Sequence, residues 1–141
     1  MQGTPTNSTP PAASPPPASS EPPVEMERLT SLTDGNLESL RELVELYIKQ
    51  TTQQLKQLGA AVQAQNAEEV RRVAHSSAGA SATLGMTRLV PLLRHLEKQG
   101  AAGTLTDAAQ TLENAVQEFK LIQNFLAVQP GLASGMSISP A

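Results

Sequence analysis

Cysteine is absent from this chain, and so is tryptophan. Without thiols, neither a disulfide framework nor a thiolate metal site can be built. Tyr47, Phe119 and Phe125 are the whole aromatic complement, which leaves no platform for stacked bases. Positive charge is not in excess either: the 141 residues carry a formal net charge of −3, which argues against general nucleic-acid binding. No stretch approaches the roughly 20 apolar residues of a membrane span. The N-terminus has neither the basic start nor the apolar run of an export signal, so the cytoplasm is the expected compartment.

Proline is scarce outside one place. Eight of the eleven prolines fall in residues 1–23, among Ser, Thr and Ala. Such a run has little to bury and favours extended conformations, so it predicts a disordered tail or linker. Residues 129–141, again rich in Gly, Ser and Pro, predict a flexible C-terminal tail. Between them, residues 24–128 are long enough for one modest core.

That middle region reads as helix throughout. Over 36–62 the apolar positions Leu37, Leu40, Val44, Ile48, Leu55, Leu58 and Val62 recur in steps of three, four and seven, the signature of an amphipathic helix. Thr33, Asp34 and Asn36 offer capping oxygens before it. A second helix is predicted over 67–84 after a turn at Gln65 and Asn66, with Gly85 placed to end it in a left-handed conformation. A third covers 88–99, with Pro91 in its first turn and Gly100 just past its end. A fourth runs from Thr106 and Asp107 to Ala127. A short helix around 25–31 caps one end. The prediction is all-α, an antiparallel four-helix bundle with a short N-terminal capping helix.

The second of these long helices carries a lone histidine, His75, with Gly79 one turn later. At 100° per residue, Val70, Val73, Ser77, Ala80 and Leu84 gather opposite His75 and form the predicted buried stripe. On the His75 side lie Glu68, Arg71, Arg72, Ala78, Gly79 and Ala82. His75 is therefore predicted to face solvent. Ala78, Gly79 and Ala82 would leave a bare strip through which another protein's backbone can approach the imidazole. Arg71 and Arg72, one turn before it, could attract a phosphate or an acidic partner pocket. From Val70 to Lys98 there are five Lys and Arg residues against one acid, Glu97, so this segment is predicted to be locally positive. An exposed imidazole beside arginines and a gap suits a nucleophile for a phosphoryl group handed over by a partner. Hydrolysis is disfavoured, because no Ser/His/Asp or paired-carboxylate arrangement accompanies His75. No His/Asp/Glu cluster has ligand spacing for a metal, and His95 reads as a solvated helix residue. A phosphate loop and a glycine-rich lid are both missing, which excludes an autokinase.

Ala74-His75, Gly79, Leu84-Gly85, Leu89, Leu93 and Leu96-Glu97 together resemble the histidine-containing phosphotransfer (HPt) domain. The HSSAGASATLGM run is also similar to the phosphoacceptor domain of chemotaxis histidine kinases. The resemblance implies a four-helix bundle with the acceptor, His75, midway along the second helix. It further implies reversible phosphoryl exchange with the aspartate of response-regulator receiver domains, fed by a sensor histidine kinase. The Mg²⁺ and most catalytic groups would belong to the receiver, so this chain would be a cofactor-free, monomeric carrier. Two positions depart from the family: a lysine usually stands three residues after the histidine, where this chain has Ala78, and a larger apolar residue is common where it has Ser77. Arg71, Arg72 and Arg88 are the candidates to replace the lysine. Two other readings stay open, an HPt-like docking module whose His75 is never phosphorylated and a helical oligomerisation domain.

Overall fold

The computed structural model describes residues 22–129 and Leu132, so the tail expected over 1–23 lies almost wholly outside the described residues. Five helices follow one another: α1 (Met26–Leu32), α2 (Leu37–Gln63), α3 (Ala67–Thr83), α4 (Val90–Ala102) and α5 (Ala108–Ala127). No strand occurs among the described residues. The four long helices form the bundle in chain order. α2 packs on α3, α3 on α4, α4 on α5, and α5 closes the ring against α2.

Local chemistry sets the helix ends. Asn36 starts α2 by accepting from the Ser39 amide at 2.8 Å, and Asn66 starts α3 by accepting from Glu69 at 3.2 Å; each satisfies an otherwise orphaned N–H. Gly85, at φ +81°, ends α3. The Met86 amide reaches back to the Ser81 carbonyl and the Gly85 amide to that of Ala82, the paired bonds of a Schellman termination. The short helix α1 then seals this end: Glu25 N–H donates to the Gly85 carbonyl at 2.9 Å, and Arg28 donates to the Ala82 carbonyl at 3.3 Å.

Leucine, valine and isoleucine fill the interior, among them Val44, Leu58, Val70, Leu93, Leu96 and Ile122. One polar pair is buried with them. Tyr47 and Ser81 share a hydrogen bond of 2.7 Å, and the Tyr47 ring meets Phe119 edge-on at 6.3 Å. Burial pushes the Tyr47 hydroxyl above its ordinary value, so it stays protonated and keeps this link between α2 and α3.

Three expectations are corrected here. Leu37, expected in the buried stripe of α2, is 43% exposed, because it is the first residue of the helix and the core begins a turn later at Leu40. Gly100 does not follow the third long helix but lies buried inside it, and Gly103, at φ +72°, supplies the left-handed turn that ends α4. Leu132, within the tail expected over 129–141, is fully buried in the core; apart from it and Gln129, that tail lies outside the described residues.

Candidate functional site

His75 sits at the middle of α3, the second long helix, with its side chain 64% exposed. The reason is the arc of α3 that its neighbours cover. Besides Val70, Val73, Ser77 and Leu84, the buried residues include Ala74, Ala78 and Ser81, while Ala80 is only partly buried. On a 100° wheel these span an arc of about 140°, wider than the single stripe predicted, because α2 covers one flank and α4 the other. His75 lies just outside it.

Its position beside α4 gives the ring a partner. Nδ1 of His75 is 2.7 Å from Oε2 of Glu97, one turn before Gly100 on α4. The other oxygen of Glu97 accepts from Arg94 Nη1 at 3.0 Å. Glu97 is held below the usual carboxylate range, chiefly by the bond with His75 and also by Arg94, against a smaller upward pull of desolvation. An ionised carboxylate can only accept. Nδ1 must therefore donate, and in the neutral ring this leaves the lone pair on Nε2, the nitrogen not engaged by Glu97.

The sign of the pH dependence follows from that depression. Stability from the His75–Glu97 contact is complete above the ordinary glutamate value and is lost as pH falls through the depressed one. Denaturant unfolding should show wild type more stable than Glu97→Gln at neutral pH. The difference should close as the solution is acidified below the carboxylate range.

Close backbone contact creates this register. A Cβ on Gly100 would lie 2.6 Å from the Arg71 amide nitrogen and 2.7 Å from the Ala67 carbonyl oxygen. The two helices run antiparallel at this separation, so one turn back along α4 brings Glu97 level with His75, one turn on along α3.

The other predicted site residues divide sharply. Gly79 is half-buried and has no neighbour within 4 Å of where a Cβ would stand, and Ala82 is exposed. Both flank His75 on the open strip. Ala78 does not. It is fully buried, about 60° round the helix from His75 on the flank that α4 covers. The position where the family usually has lysine is filled by packing. Arg71 and Arg72 do lie one turn before His75, but Arg71 is hydrogen-bonded to Glu68 through both Nε and Nη2, and Arg72 to Glu69 at 2.7 Å. Each pair draws its carboxyl below the usual range. The arginine pair is thus matched by two acids that stand just before the segment counted as positive, and this surface is not the free cationic patch predicted. Arg88 pairs with Glu118 of α5 at 3.0 Å, largely buried, and so ties α5 to the start of α4. His95 is exposed on α4.

Two residues in contact around the imidazole are not foreseen from the sequence, Glu97 and Arg94. Glu97 was visible as the lone acid of its segment, and Arg94 stands at the i−3 spacing of an intrahelical pair. What the spacing could not give is the α3–α4 register that aims Glu97 at His75.

The open space at Gly79 gives a prediction with two readouts. Gly79→Leu should leave the fold intact or stabilise it by roughly 0.5–1 kcal/mol, since helical glycine is disfavoured and an added Cβ meets nothing within 4 Å. It should block a partner's approach to Nε2. A thermal melt and a transfer assay on the same variant check both halves, and wild-type transfer would show the gap to be without function.

Among the described residues, no three His, Cys, Asp or Glu side chains gather to hold a metal, and no helix is long and apolar enough to cross a membrane. Compared with known proteins, residues 42–127 match the Hpt domain family. No curated protein matches the chain. Among solved structures, histidine-containing phosphotransfer protein B (HptB) from Pseudomonas aeruginosa PAO1 is similar at 26% identity, with a TM-score of 0.68 over 78% of this chain and 100% of that one.

Proposed function

The chain belongs to the Hpt domain family, and from that premise we propose that it is a phosphoryl carrier of a two-component relay, with His75 as the residue that carries the group. The observation that supports this most is the state of the imidazole: 64% exposed, Nδ1 engaged by Glu97, and Nε2 open. The Nε2 lone pair attacks the phosphorus of an aspartyl phosphate on a receiver domain. The P–O bond to the aspartate breaks, the aspartate leaves as a carboxylate, and an Nε2–P bond forms. With Nδ1 still protonated, the ring becomes cationic as that bond forms. Glu97 opposes this charge and so stabilises the transition state more than the ground state. The same path in reverse returns the group to a second receiver.

The partners in this reading are receiver domains and the sensor kinase upstream of them, in the cytoplasm, with the carrier acting as a monomer. Gly79, Ala82 and Ser76 line the approach. Beyond Ser76 stands Leu46 of α2, 51% exposed, in a recess otherwise lined by Lys49, Gln50, Gln53 and Gln54. Arg71 and Arg72 can serve a phosphoryl group only after exchanging Glu68 and Glu69, and exposed pairs of this kind are weak enough to exchange.

Incubation of the chain with a set of phosphorylated receiver domains tests the reading. Label should pass to the chain, vanish in acid and survive base, as phosphoramidate chemistry requires. If no receiver transfers label, the docking-module reading replaces this one.

A further inference from the structure

Four arginines stand on or between α3 and α4, and they differ in what they hold. Arg71 and Arg72 bind Glu68 and Glu69, one turn earlier on their own helix. Arg88 binds Glu118 across the bundle. Arg94 binds the carboxylate that also holds the imidazole, with Oε1 of Glu97 taken by Arg94 and Oε2 by His75.

We propose that Arg94 is a positioning residue for His75: by holding Oε1 of Glu97 it turns Oε2 to Nδ1 and so selects the ring tautomer whose nucleophile is Nε2. The proposal rests on the reading of His75 as the phosphoryl acceptor and concerns how that ring is set.

A glutamate side chain has three rotatable bonds, and freezing them costs entropy. One oxygen held within α4, at i−3, restricts that freedom before α3 contributes anything. The guanidinium is also permanently protonated. It shares the negative charge of Glu97 and keeps the carboxylate a hydrogen-bond acceptor that leaves the proton on Nδ1. From α3, Glu97 is faced by His75 and, at longer range, by the charge of Arg71; from its own helix it is faced by Arg94. Arg71 is already bound to Glu68, so it is poorly placed to take over the anchoring. The wrong tautomer would put a proton on Nε2 and remove the nucleophile, which is why an orienting group behind a histidine matters to rate.

The test uses the full chain, labelled with ¹⁵N, in the Arg94→Ala and Arg94→Lys variants beside wild type. Long-range proton–nitrogen correlation spectra, recorded where the ring is neutral, report which nitrogen of His75 carries the proton. Wild type should be predominantly the Nδ1–H form. Arg94→Ala should raise the Nε2–H population and slow transfer from a phosphorylated receiver by about three- to tenfold, the scale of one ordinary hydrogen bond. Arg94→Lys, which keeps a cation at the same i−3 spacing, should restore most of both. A merely structural role would not move the tautomer ratio in a variant that still melts like wild type. An unchanged ratio in Arg94→Ala, or failure of Arg94→Lys to restore it, overturns the proposal even if wild type accepts phosphoryl groups. A ratio that follows Arg94 in a chain that no receiver can label supports the positioning and overturns the carrier reading instead.

Discussion

Replacing His75 with glutamine is expected to abolish phosphoryl acceptance completely, whereas His95→Gln should accept at the wild-type rate. The amide nitrogen of glutamine can still donate to Glu97, so the α3–α4 contact and the fold persist. What disappears is the lone pair on an aromatic nitrogen, and an amide nitrogen has no comparable nucleophilicity. His95 is exposed as well, so exposure alone does not separate the two histidines. Orientation does. His95 is two residues from Glu97 on the same helix, about 200° round its axis, and therefore faces away from that carboxylate and from the strip beside Gly79. Labelling both variants with one phosphorylated receiver decides the matter. Label on the His75→Gln chain would show that the acceptor had been misassigned.

The second large effect is expected at Gly100. Gly100→Ala should gain the roughly 1 kcal/mol by which alanine is preferred in a helix, yet the protein should lose stability. The added Cβ would stand 2.6 Å from the Arg71 nitrogen, 2.7 Å from the Ala67 oxygen and 2.9 Å from the Arg71 Cα. All three are backbone atoms and cannot rotate aside, so α4 must move off α3. Overpacking of this kind costs about 1–3 kcal/mol and occasionally more. At about 4–8 °C per kcal/mol for a domain near this size, the melting temperature should fall visibly. Transfer should slow in parallel, because Glu97 rides on α4 and its 2.7 Å bond to His75 lengthens when the helices separate. A Gly100→Ala protein that melts with wild type would mean that α3 and α4 do not approach this closely. Gly79 is the opposite case on the facing helix, with no neighbour within 4 Å. Two helical glycines thus carry substitutions of opposite sign.

Those two glycines also mark what could be learned from the sequence. Periodicity located all four long helices, because each has a continuous apolar face and the steps of three and four leave little choice. It turned His75 outward for the same reason, and Gly85 was legible as a terminator because Leu84-Gly85 closes an apolar period. By the same sequence pattern Gly100 reads as another terminator. A glycine that ends a helix and one that lets two helices touch look alike until the partner backbone is known, and here the true terminator, Gly103, stands three residues on. Ala78 was misplaced because a wheel with one buried stripe assumes one neighbour, while α3 has two. The pairing of Arg71 and Arg72 with Glu68 and Glu69 was within reach, since i,i+3 spacing is local. Counting charges from Val70 onwards cut those acids off. Glu97 and Arg94 were beyond reach, because their role depends on which turn of α4 lies beside which turn of α3, and no local pattern encodes that register.

The pairing of charges around His75 has a kinetic consequence. Arg71, Arg72 and Arg94 each hold a glutamate, so these three arginines add little net charge beside His75. Paired in this way they project little field into solvent and do little to draw in or pre-orient an approaching protein. Their part in an encounter then rests on short-range fit beside Gly79 and Ala82, and what they add to its frequency varies only weakly with ionic strength. If the chain is a carrier as proposed, the choice among partners would accordingly reside more in how long an encounter lasts than in how often these arginines bring one about.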